Sequence, residues 1–266
     1  MESLSAVRVR PGTRPNLARL ATRPGHYDKD KLKLRIERAA DEIGELQARM
    51  HAEDRRALLV VFQAMDAGGK DGTVHRVFGD CNVHGLHVRR FSAPSTLEKA
   101  HDFLWRVHAA VPPRGMLGVF NRSHYEAVVT ERVLGLAPGA NWKERYARIN
   151  EFEQLLAGAG TQVIKFFLHL SRDEQRERLQ ERLDNPRKKW KFDAHDLKQR
   201  KHWAAFQGAY EDAMAATSTP TAPWFIVPAD RNPPRDFMVA KQVLRTLRRM
   251  RPQYPKPRRL PKRIPR

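Results

Sequence analysis

The segment Asp66-Ala67-Gly68-Gly69-Lys70-Asp71-Gly72 sets carboxylates and an ammonium among glycines. Glycines let backbone N–H groups turn inward and approach an anion closely. A helix N-terminus adds free N–H groups and a partial positive charge. Lys70 adds a full charge suited to bridging phosphates. A continuous apolar run, Ala57–Phe62, precedes the loop, and helical spacing follows over Lys70–Phe78. Strand, glycine loop and helix form the setting that a phosphate-binding loop needs. Ala67, Gly68, Gly69, Lys70, Asp71, Gly72 and Thr73 are the candidate phosphate-binding residues.

The general pattern G-x-x-x-x-G-K-[ST] is met incompletely. Ala64 stands at the first glycine, and Asp71 where a magnesium-binding hydroxyl would stand. Magnesium still needs an anionic oxygen, so Asp66 is the candidate metal carboxylate. Thr73 is the nearest hydroxyl, one turn late. The competing reading is an ordinary turn in which Asp66 bonds its own backbone.

A second apolar run, Met116–Phe120, leads into Asn121-Arg122-Ser123-His124-Tyr125-Glu126. Ligands of open α/β sheets sit at the carboxyl ends of the strands, which puts this segment beside the loop. Arg122 can clamp a phosphate with two hydrogen bonds. Asn121 stands where an acidic metal ligand is often found, which leaves that duty with Asp66. Glu126 suits a metal-bound water or a nucleotide group, or is a solvated helix residue.

A third segment is strongly basic: Arg176, Arg178, Arg182, Arg187, Lys188, Lys189 and Lys191, with Trp190 and Phe192 among them. The formal net charge is +20, which points to a polyanionic partner: nucleic acid, an anionic membrane or a phosphate-rich small molecule. A partner made only of phosphates needs cations and no hydrogen-bond code. Arg178, Arg182, Lys188, Lys189 and Lys191 are the candidate contacts to such a polyanion. The plainer reading is a solvated helix with a Glu174–Arg178 surface pair, and packing against the domain for the two aromatics. From Arg245 onward the chain carries ten basic residues, no acidic ones and five prolines, partly a solvating tail.

The elements that must position these groups alternate. Apolar runs at Ala57–Phe62, Leu86–Phe91, Met116–Phe120, Val163–Leu170 and Trp224–Val227 suit strands buried on both faces. Helical spacing is expected over Asp30–His51, Lys70–Phe78, Thr96–Ala109, His124–Leu134, Asn141–Ala157 and Ser171–Leu183, with one long helix over Asp193–Ala216. Ser171 and Glu174 form a capping-box pattern. Alternation of this kind predicts an α/β fold with a parallel sheet covered on both faces. Residues 8–25, with three prolines, read as an extended arm. The lone Cys81 excludes an internal disulfide framework and fits a reducing cytoplasm. No run reaches the roughly 20 apolar residues of a membrane span, and the basic N-terminus lacks the apolar block of a secretory signal.

Taken together, these residues resemble the polyphosphate kinase 2 family. The resemblance is carried by Asp66–Gly72, by Phe120–Tyr125, by Trp190-Lys191-Phe192 with Trp203 and Tyr210, and by Ser218–Asp230. It runs from about His26 to Pro257. It implies a P-loop kinase-like three-layer sandwich with a central parallel sheet and a helical basic lid, whose Arg178, Arg182, Lys188, Lys189 and Lys191 would bind polyphosphate. Asp66, Lys70 and Arg122 would be catalytic, with magnesium, or manganese in its place, as cofactor. The implied organisation is an arm over 1–26, one kinase-like domain over 27–251 with its lid at about 176–203, and a basic, proline-rich tail over 252–266. Expected partners are inorganic polyphosphate, adenine and guanine nucleotides and further copies of the chain, with neither membrane nor nucleic acid. The short form resembles the subgroup acting on nucleoside mono- and diphosphates. Two rivals share the loop: an ATP-dependent nucleotide kinase, and a basic RNA-binding P-loop protein.

Overall fold

The computed structural model describes residues 4–257 apart from 138 and 140. Among the described residues six strands form one sheet: β1 (Val7–Arg8), β2 (Ala57–Ala64), β3 (Leu86–Arg90), β4 (Leu117–Asn121), β5 (Thr161–His169) and β6 (Trp224–Pro228), in the order β1-β6-β5-β2-β4-β3. The five expected runs are these strands, β2 to β6, and they pair in parallel. The sheet is not wholly parallel, however. The arm supplies β1, which pairs antiparallel with β6, Val7 opposite Ile226.

All eight residues of β2 are buried. Their alternation feeds two cores, Leu58, Val60 and Phe62 on one face and Leu59 and Val61 on the other. On the first face lie α1 (Lys29–Glu53), α2 (Lys70–Phe78) and α10 (Asn232–Met250). On the second lie α4 (Trp105–His108), α6 (Trp142–Gly158) and α9 (Trp203–Thr217). The result is the three-layer α/β sandwich that the alternation implied. Cys81 is buried, and burial pushes its thiol up to about 12.

Three expected helices are shorter than their spacing suggested. The stretch over 96–109 divides into α3 (Thr96–Lys99) and α4, with residues 100–104 between them. Residues 124–134 open as a 3-10 turn, His124–Ala127, before α5 (Thr130–Leu134). The long helix after Asp193 breaks into α8 (Ala194–Lys201) and α9, with His202 outside helical dihedrals (φ −95°, ψ 24°). Helix α10 was not foreseen: arginines on its wet face distract from a stripe at Phe237, Ala240, Val243, Leu244 and Leu247. The arm is no loose appendage either. Val9 and Leu17 are core residues, and the buried His169 ring meets the Leu17 and Leu20 carbonyls. Of the tail, residues 258–266 lie outside those described.

Candidate active site

Strand β2 lies between β4 and β5, with β3 beyond β4, so its carboxyl end is where the strand order reverses. The loop from Met65 to Gly69 leaves there and α2 opens at Lys70. Two of its residues take left-handed conformations, Ala67 (φ 60°) and Gly69 (φ 90°). Gly69 is required twice over. A Cβ at this position would lie 2.0 Å from Arg235 Nη1, and its φ strains any L side chain. A Cβ on Gly68 would meet Ala64 Cβ at 2.5 Å, so the loop folds tightly on the end of its own strand. Arg235 of α10 is almost wholly buried beneath the loop, held by Asn232 Oδ1 at 2.8 Å and Asp236 Oδ1 at 2.8 and 2.9 Å.

The register sets the second segment alongside. Phe62 of β2 pairs with Asn121 of β4, and the Arg122 N–H donates to the Phe62 carbonyl at 3.0 Å. Arg122 adopts φ 63°, a costly conformation for a side chain of this size. It turns Arg122 to the loop: Nη2 bonds Asp66 Oδ1 at 2.5 Å, and Nη1 lies 3.5 Å from Glu126 Oε2. Asn121 Nδ2 donates to Asp71 Oδ1, and Thr130 Oγ1 donates to Glu126 Oε2 at 2.7 Å. Asp66, Lys70, Asp71, Asn121, Arg122 and Glu126, picked from two separate segments, thus form one cluster.

Lys70 is partly buried and its ammonium donates to the Ala64 carbonyl at 3.2 Å. Burial, then the charge of Arg122, brings it down to about 8, although Asp66, Glu126 and Asp71 pull the other way. Arg122 is driven upward, first by Glu126 and also by Asp66, against burial. It is a permanent cation. A phosphate entering here meets two cations that lie among carboxylates.

Asp66 Oδ2 is buried and has no hydrogen-bond partner among the described residues. A lone anionic oxygen at a phosphate loop suits a hard divalent cation. Among the described residues no three His, Cys, Asp or Glu side chains are placed to hold a metal ion by themselves, so such a cation would need phosphate oxygens and water as further ligands. These residues fit magnesium held by Asp66.

Thr73 faces elsewhere. It is fully buried and its hydroxyl donates to Asp236 Oδ1 at 2.9 Å, bracing α2 against α10. The basic segment is divided too. Arg178, on α7 (Arg172–Asp184), bonds Glu174 and the Ala67 and Ala229 carbonyls. Arg182 bonds Asp196 at 2.8 Å, and Lys188 bonds Glu181 at 2.5 Å. Lys189 and Lys191 are exposed. So is Trp190, at 76%, which excludes packing against the domain for that ring, whereas Phe192 is half-buried.

Residues to which sequence reasoning gave no role surround this cluster. Gln175 is fully buried with Nε2 on the Asp66 carbonyl at 3.0 Å. Tyr210 is buried and bonds Gln63 Oε1 and the Ala64 carbonyl, each at 3.3 Å. Burial beside Glu126 raises its hydroxyl well above the usual range, so it stays a donor. Asp196 of α8 is pushed up to about 6 by burial and by the charge of Asp66. Behind Arg122, the chain is pinned by a buried ion pair. Lys165 Nζ bonds Glu153 Oε2 at 2.5 Å, Tyr125 Oη at 2.9 Å and the Thr217 carbonyl at 2.8 Å. None of these has a local motif, since each meets its partners from a distant helix or strand.

Comparison with known proteins bears on this geometry. The family model for polyphosphate kinase 2 matches residues 26–255. An AMP/ADP-polyphosphate phosphotransferase of Meiothermus ruber is 51% identical over 213 residues, 80% of each chain. An ADP-polyphosphate phosphotransferase of Rhodopseudomonas palustris is 38% identical over 93% of this chain and 91% of its own. The crystal structure of polyphosphate kinase 2 from Arthrobacter aurescens TC1 superposes with a TM-score of 0.89 at 39% identity, covering 94% of this chain and 90% of the other. With its loop at the switch point, its second motif in register and a match over most of its length, the chain belongs to the polyphosphate kinase 2 family.

Proposed function

We propose that this enzyme transfers a phosphoryl group reversibly between inorganic polyphosphate and adenine nucleotides, with both ADP and AMP as acceptors. The observation that carries the reading is the pairing of Asp66 with Arg122 at the mouth of a glycine loop that also holds Lys70. The relatives named for the same chemistry support it.

The acceptor is itself a phosphate whose second ionisation lies near pH 6. It is therefore largely a nucleophile at neutral pH and needs no strong base. The harder task is to bring two polyanions into line. Backbone N–H groups at the start of α2 receive phosphate oxygens. Lys70 and Arg122 offset the charge that gathers in a loose, in-line transition state. Magnesium, bound at Asp66 with the phosphates, would supply Lewis-acid charge neutralisation. The lid excludes water, so transfer prevails over hydrolysis. Bonds broken and formed are both phosphoanhydrides, which makes the reaction nearly balanced.

The deciding experiment supplies purified protein with ADP, long-chain polyphosphate and magnesium, and no other donor. ATP should form, and AMP in place of ADP should yield ADP. Absence of product, with RNA retained tightly, would overturn the reading. The proposal extends to GDP as acceptor, to manganese replacing magnesium and to a homo-oligomer. Nucleotide substitution, metal substitution and light scattering test these in turn.

A further inference from the structure

Gln175 and Arg178 stand in the first half of α7, at the root of the basic segment. Their polar ends turn toward the loop's backbone. Gln175 Nε2 donates to the Asp66 carbonyl at 3.0 Å. Arg178 Nη1 donates to the Ala67 carbonyl at 3.1 Å and Nη2 to the Ala229 carbonyl at 2.7 Å, while Nε meets Glu174 Oε1 at 3.0 Å. Every nitrogen of this guanidinium is engaged with the protein. Ala67 is the loop residue at φ 60°, a conformation that persists only where the surroundings over-determine it. Both carbonyls flanking that turn are held from α7.

A second link reaches outward. Arg200 of α8 donates through Nη1 to Gln175 Oε1 at 3.1 Å and to the Arg172 carbonyl at 2.5 Å. Arg182 of α7 joins Asp196 of α8 at 2.8 Å. A chain of hydrogen bonds therefore runs from α8 through Gln175 to the residue that carries the Asp66 carboxylate.

We infer that Gln175 and Arg178 are positioning residues that fix the backbone of Asp66 and Ala67, and that Arg200 couples α8 to the loop through Gln175. This inference rests on the phosphoryl-transfer reading of the loop. It assigns Arg178 to the aim of the loop and leaves polyphosphate attraction to exposed lid cations such as Lys189 and Lys191.

The two roles separate in kinetics. A cation that binds polyphosphate contributes to KM and to its salt dependence, with a slope near 0.7 per phosphate contact on a flexible strand. A residue that aims the loop contributes to kcat, because a misplacement of about 1 Å costs on the order of a hundredfold. Arg178→Met and Gln175→Met should each lose roughly ten- to a hundredfold in kcat. Their polyphosphate KM, its salt slope and the binding of fluorescently labelled polyphosphate should match those of the unaltered protein. Lys189→Ala/Lys191→Ala should do the reverse, raising KM and flattening the slope. Arg200→Met, whose site is partly solvated, gives the same signature at smaller size and guards against a folding defect in the other two. The inference is overturned if Arg178→Met keeps its kcat while KM rises and the slope drops, or if Gln175→Met turns over normally. Failure of the unaltered protein to make ATP would instead refute the phosphoryl-transfer reading itself.

Discussion

Burial and the neighbouring Arg122 bring the Lys70 ammonium down to about 8, so its charge is lost as pH rises through that value. The profile of kcat/KM, which reports the free enzyme, should fall above about pH 8. Lys70→Arg, charged at every accessible pH, should flatten that alkaline limb while lowering the rate, which an initial-rate series from pH 6 to 10 would read. Lys70→Ala and Asp66→Asn should each lose on the order of a hundredfold or more in kcat. Near-normal steady-state turnover in either would remove its assigned role. Asp66, Lys70, Arg122 and Glu126 were legible because their chemistry is concentrated in two short segments that the strand register then aligns. Gln175 and Arg235 were not, and Tyr210 was noted without its contacts, because a lone Gln, Tyr or Arg on a helix carries no sign of the backbone it will meet. Thr73 shows the converse: near the motif in sequence, its hydroxyl is spent on Asp236.

At the scale of elements, the loop works because it is seated on other elements. Gly69→Ala would force a Cβ into Arg235 at a left-handed φ. It should reduce kcat on the order of a hundredfold and lower the melting temperature by several degrees, both checked on one preparation by assay and calorimetry. The buried Lys165–Glu153 pair is the second seat, tying β5 and α6 to Tyr125 of the second motif and to Thr217 at the end of α9. Lys165→Met strands a buried carboxylate and should cost about 3–5 kcal/mol in urea unfolding. Removing both charges, as Lys165→Met with Glu153→Leu, should recover a large part of that loss. Strands β2, β4, β5 and β6 were readable from apolar runs because they are largely buried. The β3 run was read too, although that strand is half-exposed to exposed and not buried on both faces, and β1 was hidden in the arm. The interruptions at 100–104 and at His202 were not readable, because neither proline nor glycine marks them in the sequence.

For the whole molecule, a net charge of +20 sets the strength of long-range attraction and its screening. Between 50 and 200 mM salt the polyphosphate KM should rise several-fold, with a smaller change for ADP, as expected where several phosphate contacts displace counterions. A flat response would move polyphosphate away from the basic surface. Among the described residues no helix is long and apolar enough to cross a membrane. The hold of α7 on the Asp66, Ala67 and Ala229 carbonyls also limits how this enzyme can be recombined. A lid transplanted from a relative with its junction at Ser171 would import a foreign grip on the phosphate loop. A junction beyond Arg182 would leave the native grip in place and exchange only the outer, cation-bearing part. The unit of interchange is therefore smaller than the helical insertion it belongs to.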